Sequence, residues 1–144
     1  MPGMDAASGL ADLRRAEALS PKLLYAVDAR LTPSSPVTDI ARLISLTAAA
    51  VADGRGHVLD TSHVIFPNGA ITLVFILAES HLSIHTWPEE NLIAIDLFSC
   101  GAIDGEAVIS GLTRSLRLDA VSVRRLGRGT PGGEPGSAAG DQPG

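Results

Sequence analysis

Between residues 22 and 126 the spacing of apolar and polar positions changes several times, and each change predicts an element. Lys22–Leu31 reads as a strand. Ser35 followed by Pro36 predicts a helix N-cap with proline at the first helical position. Val37, Ile40, Ala41, Ile44, Ala48 and Val51 recur at helical spacing, and Gly54 stands where a C′ glycine belongs. His57–Phe66 alternates loosely as a strand, and Pro67-Asn68-Gly69 is a turn. The near-continuous aliphatic run Ala70–Ala78 predicts a strand buried on both faces. Ser80–Thr86 alternates, with His81, Ser83 and His85 on one face and Leu82 and Ile84 on the other. A turn at Glu89-Glu90-Asn91 leads into the strand Leu92–Ser99, which carries Asp96 inside an apolar run. Asp104 caps a helix whose Val108, Ile109, Leu112 and Leu116 form one stripe, and Ala120–Leu126 closes as a short strand.

The order β-α-β-β-β-β-α-β, with its hairpins, predicts an α+β two-layer sandwich: two helices on one face of a mainly antiparallel sheet. A strand apolar on both sides in a two-layer chain implies that something covers the second face. A partner subunit is the simplest cover, so a homodimer is expected. The ends differ from the middle. Residues 127–144 hold seven Gly and three Pro in eighteen positions and read as a disordered tail. Residues 1–20 read as a loose N-terminal arm, leaving residues 21–126 as the folded domain.

Composition narrows the function. A chain of 144 residues, 45% hydrophobic and 19% charged, is one globular domain. A net charge of −5, no basic run longer than two residues and only five aromatic residues argue against a nucleic-acid partner. The single cysteine, Cys100, forbids an intrachain disulfide and gives no sign of an oxidising compartment. The first twenty residues lack the apolar core of a secretory signal, and no apolar stretch is long enough to span a bilayer. A cytoplasmic protein acting on a small molecule, without membrane or nucleic acid, is the expectation.

Polar chemistry gathers at Glu79–Glu89, with Cys100 beyond it. A metal site on His81 and His85 is disfavoured, because i and i+4 on a strand lie roughly 13 Å apart. A Ser80–His85–Asp96 hydrolase triad lacks the G-x-S-x-G elbow, although a triad is defined by geometry and remains open. A third reading makes Ser80 the point of self-cleavage. Its hydroxyl attacks the preceding carbonyl, β-elimination releases the upstream chain, and a pyruvoyl group remains; a base and an oxyanion stabiliser are needed nearby. Residue types alone favour a fourth, bland reading: a β-core with wet histidines and Cys100 as a small apolar residue.

The string itself adds more. Ala78–Gly101 (AESHLSIHTWPEENLIAIDLFSCG) closely resembles the cleavage region of the short prokaryotic S-adenosylmethionine decarboxylases. Their E-S-H-x-x-I-H-T-W-P-E segment, internal Asp and F-[ST]-C-G ending match Glu79–Glu89, Asp96 and Phe98–Gly101 without a gap, and a weaker likeness spans residues 22–126. The resemblance implies cleavage of the Glu79–Ser80 bond, with Ser80 becoming the pyruvoyl cofactor that forms a Schiff base with substrate. It implies that His85 transfers a proton during processing, and that Cys100 protonates the substrate carbon after decarboxylation. Thr72 takes the place of a processing serine hydroxyl eight residues before the cleavage site, and Phe66 that of an aromatic that stacks on adenine. Two departures bear on the substrate pocket. Pro21-Lys22-Leu23 replaces the family's Gly, basic residue and His, and Glu90-Asn91-Leu92 follows W-P-E where aromatic and Gly residues are usual. The implied function is S-adenosylmethionine decarboxylation, giving the aminopropyl donor for polyamine synthesis. A pyruvoyl-dependent arginine or ornithine decarboxylase and a non-enzymatic regulatory subunit of the same fold are the alternatives.

Overall fold

The computed structural model describes residues 9–12, which are helical, and residues 21–132. From residue 21 onward the elements are β1 (Lys22–Arg30), α1 (Ile40–Asp53), β2 (Val58–Ile65), β3 (Ile71–Leu77), β4 (Ser80–Trp87), β5 (Leu92–Ser99), α2 (Gly105–Ser115) and β6 (Asp119–Arg128). All six strands join one sheet in the order β2-β3-β4-β5-β1-β6, and each neighbouring pair is antiparallel. Both helices lie on one face, as the order of elements predicts. Their apolar stripes, with Leu43, Val51, Val108, Leu112 and Leu116 almost wholly buried, close a core against Val27, Leu73, Phe75, Leu82, Ile84, Ile95 and Leu97.

The start of α1 differs from the expectation. Asp39, not Ser35, is the N-cap: its side chain accepts the Arg42 N–H at 3.2 Å. The Ser35 hydroxyl instead accepts the Thr32 N–H at 2.8 Å, while Thr32 donates to the Arg117 carbonyl at 2.9 Å. Residues 32–35 therefore form a turn that ties down the end of α2, and the helix waits for the next side chain able to cap it. The other end also differs. Gly54 is the C-cap with φ −86°, and Arg55 takes the left-handed conformation at φ 66°. Glycine is needed at 54 for room: a Cβ there would lie 2.5 Å from Val108 Cγ2 and 2.9 Å from the Asp104 carbonyl. This close approach lets Asp104 N–H bond the Gly54 carbonyl at 2.8 Å, locking the α1–β2 connection against the β5–α2 connection.

Strand β3 is buried on one face rather than two. Ile71, Leu73, Phe75 and Leu77 are at most 3% exposed, whereas Thr72 and Val74 are half-buried and Ile76 is 49% exposed. Both helices occupy the same side, so the alternate residues of every strand face outward from an open sheet surface. That surface carries exposed Val64, Ile76 and Trp87 and half-buried Leu24, Phe98 and Leu126. At the C-terminus, β6 runs to Arg128, two residues into the segment read as a tail, because Lys22 and Leu23 pair with Arg128 and Gly127. Most of the expected N-terminal arm and residues 133–144 of the expected tail lie outside the described residues.

Replacing Gly54 by Ala is expected to lower stability by about 1–3 kcal/mol, because the methyl group must displace the Asp104 backbone. A urea-unfolding midpoint equal to that of the unaltered protein would show that the approach of the two connections is not tight.

Candidate active site

Strands β3 and β4 are joined by a two-residue loop, Ala78-Glu79, with Leu77 paired to Ser80 across its base. Such loops favour Gly, Asn or Asp, because they need positive φ. Neither loop residue is of that kind, and the positive φ falls on Ser80, at 144°. A serine in this region costs on the order of 1–3 kcal/mol and persists only where its surroundings over-determine it. The loop is also buried, with Ala78 4% and Glu79 2% exposed, although connections ordinarily lie at the surface. The strained, enclosed bond is the one that the sequence marks for cleavage, Glu79–Ser80.

Two neighbours hold it. Extending the β4–β5 register past the His81–Phe98 pair sets Ser80 against Ser99 at the first step and Glu79 against Cys100 at the second. The Cys100 thiol accordingly donates to the Glu79 carbonyl oxygen at 2.9 Å, at the oxygen that becomes negative when a nucleophile adds to that carbonyl. The Glu79 side chain turns the other way, into the start of β2. Its Oε1 accepts the His57 backbone N–H at 2.9 Å, and its Oε2 lies 2.7 Å from His57 Nδ1. Nothing in the sequence singles out His57: it precedes Glu79 by 22 residues, in a segment that reads as an ordinary strand start.

The other expected residues lie elsewhere. Thr72 and His85 face each other across β3 and β4, with Thr72 Oγ1 3.3 Å from His85 Nδ1. Thr72, His85, Phe66 and Trp87 line a cavity of about 550 Å³ at the far end of the hairpin. His85 is five residues along β4 from Ser80, roughly 16 Å at ~3.3 Å per residue. One chain thus separates the expected residues into two groups: Ser80 with Glu79 and Cys100 at one end of the hairpin, and the Thr72–His85 pair with the cavity at the other. Asp96 faces Ser83, and the residue opposite His85 is Ala94, so Ser80, His85 and Asp96 do not assemble as a triad. His81 stands exposed with its ring 5.9 Å from that of Phe98. Trp87, whose ring lies 6.3 Å from His85, is a cavity residue to which the sequence reading gave no role.

Comparison with known proteins shows the family. Residues 24–129 match the S-adenosylmethionine decarboxylase family. The S-adenosylmethionine decarboxylase proenzyme of Thermoplasma volcanium is 36% identical over 114 residues, 78% of this chain and 83% of its own. The S-adenosylmethionine decarboxylase proenzyme 2 of Bacillus cereus is 39% identical over 85 residues, 58% of this chain and 68% of its own. The crystal structure of the adenosylmethionine decarboxylase from Aquifex aeolicus superposes with a TM-score of 0.65 at 23% identity, over 77% of this chain and 92% of that one. The last likeness is one of fold; the family match and the sequence identities carry further, and the chain belongs to the S-adenosylmethionine decarboxylase family.

Proposed function

We propose that this chain is the proenzyme of a cytoplasmic S-adenosylmethionine decarboxylase that cuts its own Glu79–Ser80 bond and makes the aminopropyl donor for polyamine synthesis. The observation that carries the reading is the positive φ of Ser80 at a buried peptide bond whose carbonyl already accepts the Cys100 thiol. The Ser80 hydroxyl adds to the Glu79 carbonyl carbon, and the Cys100 thiol stabilises the charge that forms on its oxygen. The C–N bond breaks as the ester forms, and the hydroxyl proton passes to the released nitrogen. A base then takes the Ser80 Cα proton, the Cβ–O bond breaks, and the Glu79 carboxylate leaves as a new C-terminus. Water replaces the nitrogen as ammonia and leaves a ketone at residue 80. These residues fit a pyruvoyl group: a strained serine, an oxyanion donor and an enclosed bond stand together. Once formed, the group supplies a ketone that condenses with the substrate amine and an amide carbonyl that takes up the electron pair left by CO2. Cys100, beside that position, is the proton donor to the substrate carbon.

The base is His85, and it belongs to a second copy. Thr72 at Nδ1 orients its ring and leaves Nε2 for proton transfer, but roughly 16 Å of strand separates it from Ser80 in the same chain. A two-fold axis lying between two sheets and perpendicular to their strands reverses strand direction. The Ser80 end of one hairpin then faces the His85 end of the other. The same operation covers the open apolar sheet face and brings the Phe66 cavity to the cleaved end. Phe66 and Trp87 offer an aromatic lining suited to a flat adenine and a sulfonium cation. Arginine or ornithine needs no such platform, and this favours the nucleoside substrate over the smaller amino acids.

Purified protein is expected as two chains, residues 1–79 and 80–144, the second blocked to Edman sequencing, while Ser80→Ala stays whole. The cleaved protein releases CO2 from S-adenosylmethionine and not from arginine or ornithine. A wild-type chain that stays whole on long incubation would favour the regulatory-subunit reading instead. Cys100→Ala is expected to cleave about tenfold more slowly, since a thiol is a weak donor, and to lose most decarboxylation; full turnover would remove its role. Ser80→Ala and His85→Ala each block cleavage alone. Their co-expression is expected to restore it in roughly half of the His85→Ala chains, those paired with a Ser80→Ala partner. A mixture with no cut chain would sink the shared site.

A further inference from the structure

We propose that His57 is a positioning residue for self-cleavage: through the buried Glu79 carboxylate it holds the Glu79–Ser80 bond in its reactive conformation. The inference rests on the self-cleavage reading and adds to it a residue outside the Glu79–Gly101 string. The geometry is a clamp. Glu79 is 2% exposed, and its two carboxylate oxygens meet the two donors of one residue, the His57 backbone N–H at 2.9 Å and the ring Nδ1 at 2.7 Å. The His57 carbonyl in turn accepts the Ala78 N–H at 2.9 Å. Three hydrogen bonds therefore run between His57 and the loop that precedes the scissile bond. On the opposite side the Cys100 thiol holds the Glu79 carbonyl oxygen.

The physical consequence concerns strain. Ser80 at φ 144° relaxes if the peptide unit between it and Glu79 is free to rotate. A change of φ at Ser80 alone swings the Glu79 Cα and drags its carboxylate away from His57, leaving it buried without donors; turning the peptide unit in place instead pulls its carbonyl from the Cys100 thiol. The first outcome is costly, because hydrogen bonds to an ionised acceptor are the strong ones and an unpaired buried charge is heavily penalised. The ring bond to Oε2 is thus the one side-chain contact among the described residues that resists relaxation from the carboxylate end. His57 keeps the Glu79 carbonyl carbon in place for the Ser80 hydroxyl without touching either reacting atom. A purely structural role for the pair would instead make its loss felt in stability alone.

The test follows freshly synthesised precursor by intact mass, with melting temperatures taken in the Ser80→Ala background. His57→Ala keeps the backbone donor and removes the ring; cleavage is expected to slow at least tenfold. His57→Asn places an amide donor near the Nδ1 position and is expected to return to within about threefold of wild type. His63→Ala, at an exposed position of β2 away from Glu79, should cleave normally. Hydroxylamine, which cuts an ester but not an amide, places the step: it is expected to release chains from His85→Ala and not from His57→Ala. Should His57→Ala fail to fold, His57→Gln poses the same question with the donor displaced along a longer side chain, and slow cleavage is again expected. Cleavage of a folded His57→Ala or His57→Gln at the wild-type rate overturns the proposal. So does an ester that hydroxylamine releases from either variant, or a cleavage loss that tracks melting temperature and that Asn does not repair. A wild-type precursor that never cleaves would instead refute the self-cleavage reading itself.

Discussion

The burial of one carboxylate organises the end of the sheet where the chemistry lies. Glu79 is almost entirely enclosed, and an enclosed carboxylate is stable only if donors converge on it. They come from the start of β2, which must therefore reach the β3–β4 loop. The α1–β2 connection can reach it because Gly54 lets α1 end directly against α2, where Asp104 bonds the Gly54 carbonyl. The same junction carries Cys100, two residues past the last paired residues of β4 and β5. Three connections distant in sequence thus meet around a single peptide bond, with His57 on the Glu79 carboxylate and Cys100 on its carbonyl.

The rest of the sheet explains why Ser80 and His85 stand far apart in one chain. Both helices cover one face, and their stripes are complementary to the odd-numbered residues of β3 and the even-numbered residues of β4. Every residue of opposite parity is left on the open side, and Thr72 and His85 are among them. The hairpin that brings Thr72 to His85 by register also holds His85 a strand's length from Ser80. Antiparallel pairing fixes both facts together, so no side-chain rotation within one chain unites Ser80 and His85. The apolar residues of the open face and the separation of His85 from Ser80 are two results of one topology.

Much of this was legible in the sequence. The alternation of Leu82 and Ile84 with His81, Ser83 and His85 gave β4 and its faces, and Asp104 gave the start of α2, because these signals are local and periodic. Residue types in the Glu79–Gly101 string carried the family. Where local signals competed, the tertiary structure chose. Either Ser35 or Asp39 could cap α1, and the need of the Arg117 carbonyl for a donor drew residues 32–35 into a different turn. The aliphatic run of β3 read as buried on both faces because sequence records hydrophobicity and not which side the helices take.

What the sequence determined alone was the set of elements and the chemical types at the site, since both depend on spacings of a few residues along the chain. What only the tertiary structure decided was the state of the Glu79–Ser80 bond. No turn signal marks Ala78-Glu79, and nothing in the residues predicts that Ser80 is held at φ 144°. The contacts on the preceding residue come from His57 and Cys100, 22 and 21 residues away from Glu79 in opposite directions. Strain of this kind is imposed by the surroundings on a segment that would not adopt it unaided, and so it leaves no local trace in the sequence.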